Sequence, residues 1–243
     1  MDGAYSLSVV ICAVDESFTL DATFRGIDRF HLAQEYLFVL SQNCTSDCLA
    51  TVQTICARED CRYVIQSGFG FGNAIRESIA LVRGSHMIVW SADDAIDSGC
   101  FPELVRLSEA HPDCIVTVSR WLSSDSFRGY NPLRKVINRV SQKLFACMYR
   151  SDLTDFTNPT QIAPVALYRS IRWEHDGFDM LPELTFKPLK LGVRFIEVPG
   201  KYVPRQEGKS HSRFSELVSY YLRVLQILCM DRRDILLEKD AAE

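Results

Sequence analysis

The chain has 243 residues, of which 47% are hydrophobic and 24% charged, with a formal net charge of −4. This is an ordinary globular composition with enough length for a sizeable core, and its charge is wrong for a molecule built around nucleic acid. No run approaches the roughly 20 apolar residues that span a bilayer, and MDGAYSLSVV has no basic stretch ahead of its apolar run, so it does not read as a signal peptide.

In chain order, Leu7 to Val14 reads as a fully buried strand, Tyr36 to Leu40 as a second and Tyr63 to Gln66 as a short third. His86 to Trp90 is a fourth and Cys114 to Val118 a fifth. Helical patterns fall between them at about 17–30, 46–58, 72–83 and 101–110. Continuous apolar strands separated by helices predict an α/β fold with a parallel sheet covered on both faces. Asn131-Pro132 then reads as an N-cap with proline at the first helical position, opening a long helix to about Tyr149. A strand-like segment from Gln161 to Tyr168, a helix near Leu181 to Leu191 and a strand from Val193 to Val198 follow. The last helix starts at Ser212 and places Phe214, Leu217, Val218, Tyr221, Leu225 and Leu228 on one face.

Ligands of open parallel sheets bind beyond the carboxyl ends of the strands. Those ends carry Asp15-Glu16, then Ser41-Gln42-Asn43, then the Gly68/Gly70/Gly72 loop, then Ser91-Ala92-Asp93-Asp94. Two adjacent carboxylates after a buried strand repel unless a cation or hydrogen bonds intervene, so Asp93-Asp94 is either a site for a hard divalent ion or a turn pair. The glycine loop suits either phosphates at a helix N-terminus or a structural strand-to-helix turn. From Ser126 to Ser151 there is no acidic residue, while Arg128, Arg134, Lys135, Arg139, Lys143 and Arg150 lie in that span. Its apolar residues are Leu133, Val136, Ile137, Val140, Leu144, Cys147 and Met148, which makes a basic amphipathic helix. Such a helix suits an anionic membrane surface or a phosphorylated acceptor, or is simply solvated. A second basic cluster is Lys201, Arg205, Lys209, His211 and Arg213. The nine Cys lack zinc-ligand spacing and read as reduced thiols of a cytosolic protein, and the five His show no metal-ligand pattern.

Four blocks then resemble one family. SVVICAVDE looks like an opening SVVIPxYNE strand, with Glu16 at the nucleotide-contacting Glu. GFGNAIRESIALVRGSHMIVWSADD looks like the stretch leading to a metal-binding DxD, with Asp93 in the metal position and Ser91 in place of the first Asp. DFTNPTQIAPVALYR resembles a later block starting from an acidic residue, here Asp155. GFDMLPELTFKPLKLGVRFIEVPGKYVPRQEGKSH carries Glu183, Glu197, Arg205, Gly208 and Ser210 of a gF…E…EvP…R..G.SK ending. From about Ser8 to Leu228 the chain resembles family 2 inverting glycosyltransferases of the GT-A fold, in their polyprenyl-phosphate (dolichol-phosphate mannose synthase-like) branch.

That resemblance implies one glycosyltransferase domain over 1–243, with a nucleotide-binding half at about 7–120 and an acceptor half at about 121–230. It places a nucleotide-sugar donor against Cys12, Val14, Glu16, Gln42, Ser91 and Asp93, and a Mg²⁺ or Mn²⁺ cofactor on Asp93 and Asp94. Arg134, Arg150, Arg205 and Ser210 would hold the phosphate of a lipid acceptor at the cytoplasmic face of a membrane, and no nucleic acid is expected as a partner. For a hydroxyl acceptor Asp155 or Glu183 would be the base, Glu183 being alternatively a solvated helix residue. The rival readings are transfer to a soluble hydroxyl acceptor and a degenerate nucleotide-binding domain without catalysis.

Overall fold

Alternate residues of the central strands enter two different cores. Leu7, Val9, Ile11 and Ala13 of β1 (Leu7–Ala13) join Tyr36, Phe38 and Leu40 of β2 (Glu35–Leu40) in one cluster. Val10, Leu37 and Val39 face the other. β4 (His86–Ser91) divides likewise, with Ile88 and Trp90 on the first side and Met87 and Val89 on the second. Strands apolar on both faces must be covered on both faces, which is why these runs are continuous rather than alternating. Helices α1 (Ser17–Asp28), α2 (Ser46–Ile55) and α4 (Phe101–Ala110) cover the first side. Helices α3 (Phe71–Leu81), α6 (Val165–Ser170) and α7 (Met180–Lys190) cover the second.

The computed structural model describes residues 4–92, 96–123, 126–127, 130–203 and 214–237. Its sheet has seven strands in the order β3-β2-β1-β4-β6-β5-β7, with β3 at Cys61–Ile65, β5 at Ile115–Ser119, β6 at Gln161–Pro164 and β7 at Phe195–Pro199. All neighbours run parallel except β6, which lies antiparallel between β4 and β5. The strand expected from 161 to 168 therefore covers only its first half. Pro164 has no N–H for the ladder, so the strand ends there and Pro164 becomes the N-cap residue of α6. Pro188 inside α7 likewise leaves the Leu184 carbonyl without its helical donor, and Gln161 Nε2 supplies one at 3.0 Å.

Helix α5 (Pro132–Tyr149) starts as expected, with Asn131 Oδ1 accepting the Arg134 N–H at 3.1 Å, and ends on Arg150 in the left-handed region at φ 49°. It packs with α7 and α8 (Phe214–Cys229) around Phe145, Phe156, Phe186, Val224 and Ile227. The face expected of α8 is corrected here: Val218 and Leu225 are exposed, and Arg223, Val224 and Ile227 are buried instead. A short α9 (Arg232–Ile235) closes the described chain.

Trp90 is enclosed at the middle of the first core, so Trp90→Ala is expected to cost about 3–5 kcal/mol. Phe18, 80% exposed on α1, should cost no more than about 0.5 kcal/mol as Phe18→Ala. Urea unfolding of the two variants checks this contrast.

Candidate functional site

The carboxyl ends of β1, β2 and β3 are stitched together by main-chain bonds. Ser41 N donates to Ala13 O and Thr45 N to Val14 O, each at 3.0 Å, and Gln66 N to Leu40 O at 2.9 Å. Glu16 turns its carboxylate onto its own turn, accepting the Val14 and Asp15 N–H groups at 2.7 and 3.1 Å. Gln42 Nε2 donates to Ser67 O at 2.6 Å, and Ser67 is in turn held by Glu77. Burial first, and the Glu16 carboxylate second, push the Cys12 thiol up to about 12, so it stays protonated at neutral pH. Ser91 ends β4 opposite Cys12. Cys12, Val14, Glu16, Gln42 and Ser91 are thus gathered at one edge of the sheet.

Asp93 and Asp94 lie outside the described residues, but their flanks do not. Ala92 O accepts from Thr19 Oγ1 at 2.8 Å and Thr23 Oγ1 at 3.2 Å, while Ile96 bridges to Tyr202 and Asp97 N donates to Lys201 O at 3.0 Å. Among the described residues no group of three His, Cys, Asp or Glu is arranged to hold a metal ion. Arg205 and Ser210 also lie outside them, as do Lys209, His211 and Arg213 of the second basic cluster.

The glycine loop resolves to the structural alternative. A Cβ on Gly70, whose φ is 93°, would sit 2.2 Å from Asp176 O, and one on Gly72 would sit 2.6 Å from His175 O. Asn73 N donates to Asp176 O at 3.1 Å. The glycines admit the 175–177 backbone, and that backbone, not a phosphate, takes up an N-terminal amide of α3.

Both carboxylates considered as bases are buried in ion pairs. Asp155 Oδ2 accepts Arg120 Nε at 2.7 Å and Arg120 N at 3.1 Å, and Oδ1 accepts Arg120 Nη2 at 2.8 Å and Thr157 N at 3.2 Å. Burial raises its pKa, but the guanidinium and these bonds outweigh burial and hold it below the usual carboxylate range. Asn138 and Gln142 of α5 reach the same knot through Thr157 Oγ1, and Glu197 of β7 accepts from the Thr154 and Asp155 N–H groups.

Glu183 is fully buried rather than solvated, which corrects that alternative. Its oxygens meet His175 Nδ1 at 2.6 Å, Lys187 Nζ at 2.7 Å, Arg223 Nη2 at 3.0 Å and Glu174 N at 3.2 Å. Glu174 pairs with Lys187 at 2.9 Å and with Arg223, so two acids and two bases balance. His175 Nε2 also lies 3.6 Å from Asp179, at the start of α7. Sequence analysis passed over His175 and Asp179. The only signal was their spacing of four from each other and of Asp179 from Glu183.

Arg134 and Arg150 are both exposed but stand at opposite ends of α5. At about 1.5 Å rise per residue the sixteen intervening steps separate them by roughly 24 Å, so one phosphate cannot bridge them. That part of the expected acceptor cluster is corrected. Beside the Arg134 end stands an aromatic ladder that sequence analysis missed: Trp121, Phe127, Tyr130 and Tyr202, with successive ring centroids 4.4, 5.4 and 5.3 Å apart. Lys135 lies over Phe127 and Arg139 over Trp121.

The model of the family described as "Glycosyl transferase family 2" matches residues 8–171, and the chain belongs to that family. A curated relative, glycosyltransferase AglJ of Haloferax volcanii, is 24% identical over 152 residues, which is 60% of this chain and 48% of that protein. The match thus spans about half the length of that relative. Among solved structures, glucosyl-3-phosphoglycerate synthase from Mycobacterium tuberculosis with Mn²⁺, UDP and phosphoglyceric acid covers 93% of this chain and 80% of its own at 17% identity, with a TM-score of 0.69. Its complex with Mn²⁺, UDP-glucose and phosphoglyceric acid gives 0.68 at 16% identity, covering 93% of this chain and 81% of its own. At such identity the likeness establishes the GT-A fold.

Glu183→Gln removes the fully buried acid from a balanced set of four whose other acid, Glu174, is partly exposed, and leaves Lys187 and Arg223 in excess. It is expected to cost about 3–5 kcal/mol in urea unfolding. A cost below about 1 kcal/mol would show that water reaches Glu183 itself.

Proposed function

We propose that the protein transfers a sugar from a nucleotide-diphosphate donor to the phosphate of a polyprenyl phosphate at a membrane surface, with inversion at the anomeric carbon. The observation that carries this reading is the engagement of Asp155 and Glu183 in buried ion pairs. The oxygens of both carboxylates are taken up by these partners. A phosphate acceptor needs no base, because its second pKa is about 6 and it is already anionic near neutral pH. In the transfer an acceptor phosphate oxygen forms the new bond to the anomeric carbon as the bond to the leaving diphosphate breaks, in line and on the opposite face. Asp155 and Glu183 then act as positioning residues, fixing the 154–157 segment and the start of α7.

Cys12, Val14, Glu16, Gln42 and Ser91 would line the nucleotide. Asp93 and Asp94 would hold Mg²⁺ or Mn²⁺, for which paired carboxylates beyond a strand held at Ala92 are suitable hard donors. The ion supplies stabilisation of the charge developing on the leaving diphosphate. Arg134 and Arg205, with Ser210, would orient the acceptor phosphate through charge-assisted bonds. The solved neighbours bound to UDP, Mn²⁺ and phosphoglyceric acid support a uridine donor and a divalent ion.

One observation favours a second reading, transfer to a soluble hydroxyl. Asp179, a quarter exposed and 3.6 Å from His175, is placed as a base for such an acceptor. The two readings separate in a transfer assay offering a short-chain polyprenyl phosphate or phosphoglycerate, with UDP-, GDP- and dTDP-sugars. Labelled polyprenyl product that survives Asp179→Asn supports the phosphate acceptor; product only with phosphoglycerate, lost in Asp179→Asn, replaces it. Arg205→Ala should lower polyprenyl transfer roughly 10- to 100-fold while UDP with Mn²⁺ still raises the melting temperature.

A further inference from the structure

Helices α5 and α8 each bury apolar side chains together with polar ones and present a second apolar stripe outward. α5 buries Ser141 and Gln142 beside Phe145 and leaves Leu133, Val136, Ile137, Val140 and Leu144 between 47% and 68% exposed. α8 buries Arg223 beside Val224 and Ile227 and leaves Val218, Leu222 and Leu225 between 43% and 55% exposed. The two outward faces adjoin. Ser141 Oγ hydrogen-bonds the Tyr221 hydroxyl, the Phe145 and Tyr221 rings lie 5.8 Å apart, and the Tyr149 hydroxyl donates to Val224 O at 2.7 Å. Ile137 and Leu144 flank Ser141 one turn either way, as Val218 and Leu225 flank Tyr221. The stripes therefore meet along the Ser141–Tyr221 contact as one apolar face on two helices.

We propose that this α5/α8 face docks on an anionic lipid bilayer. The inference deepens the lipid-phosphate reading, on which it rests for its purpose, by naming the surface that would bring the site to the acceptor. Charge selects the occupant. α5 carries Arg134, Lys135, Arg139 and Lys143, and the span 126–151 holds no acid. A second copy seated face to face would set these cations against their like, whereas anionic headgroups complement them. The exposed stripe with a basic flank, beside half-buried Trp121 and Tyr130, is the pattern of a helix lying in the interface plane. Among the described residues no helix is long and apolar enough to cross a membrane, so the contact is one of lying on it.

The test is co-sedimentation of the full chain with phosphatidylcholine vesicles with and without phosphatidylglycerol. Wild type should sediment with the anionic vesicles and be released as salt rises. Val140→Asp and Leu225→Asp, one on each helix, should each lower partition roughly tenfold or more. Both side chains are already solvated, so circular dichroism and melting should be unchanged. Absence of sedimentation with anionic vesicles, or partition indifferent to both substitutions, overturns the proposal. So does sedimentation velocity showing a dimer that these substitutions dissolve. Vesicle binding without transfer to polyprenyl phosphate would sink the acceptor reading and leave the docking face standing; transfer without vesicle binding would do the reverse.

Discussion

The buried pair between Arg120 and Asp155 sets how the second half of the chain is assembled. Removing a charge from water costs several kcal/mol even after relaxation, and a partner offsets that only when the remaining donors and acceptors are also met. Here the guanidinium is bidentate, and the Arg120 and Thr157 N–H groups take the rest of the carboxylate. Thr157 Oγ1 passes the network to Asn138 and Gln142, and Gln142 Oε1 accepts the Phe156 N–H at 2.7 Å. One ion pair thereby ties the end of β5, the 154–157 segment and the middle of α5 into a single arrangement. Were α5 rolled so that Val136 and Val140 faced inward, Asn138 and Gln142 would leave this network, and the 154–157 segment would lose its donors.

The carboxyl edge of β1, β2 and β3 is built differently, on main-chain bonds between strand ends rather than on buried charge. The turns after β1 and β2 bond to each other through Ala13, Val14, Ser41 and Thr45, so the residues they carry move as one unit. The third turn is tied in by Gln42 to Ser67 and by Glu77. The glycine loop completes the edge by letting the 175–177 backbone pass close to α3. Arg76 bonds Asn73 at 3.1 Å and pairs with Asp176, clamping that passage from above. This sheet edge and the start of α7 are therefore mechanically continuous, which places His175 and Asp179 beside it.

What the sequence made legible follows from how locally each feature is encoded. β1, β2, β4 and β5 are announced by their own residues, because a strand buried on both faces must be apolar throughout; β3, at the sheet edge with Tyr63 and Ile65 exposed, gives a shorter run. β6 was read too long because the sequence shows apolar residues on both sides of Pro164, while the missing N–H ends the ladder there. The solvated alternative for Glu183, beside its candidacy as a base, stands open in the sequence because its partners are distant in the chain: Glu174 and Lys187 by nine and four residues, Arg223 by forty. No window of a dozen residues contains that balance of charges. The separation of Arg134 from Arg150, by contrast, was calculable from helix rise alone once both were placed on α5.

The misreading of α8 has the same origin as the exposed face of α5. An apolar-moment argument assigns inward positions to Val218 and Leu225 because Arg223 is counted as a solvent residue. Pairing with Glu174 and Glu183 reverses that sign: a guanidinium with two carboxylate partners is held more strongly inside than a valine is by its transfer free energy of about 1.5–3 kcal/mol. Arg223 shares the inward side with Val224 and Ile227, and Val218, Leu222 and Leu225 are left outside. In α5 Asn138 and Gln142 play the part of Arg223. Two helices turned outward by two separate polar networks, yet meeting along Ser141 and Tyr221 with their apolar stripes side by side, make a face that neither helix's own stability explains. Its exposure is a consequence of what the interior holds, and a surface that complements it is what would relieve its cost in water.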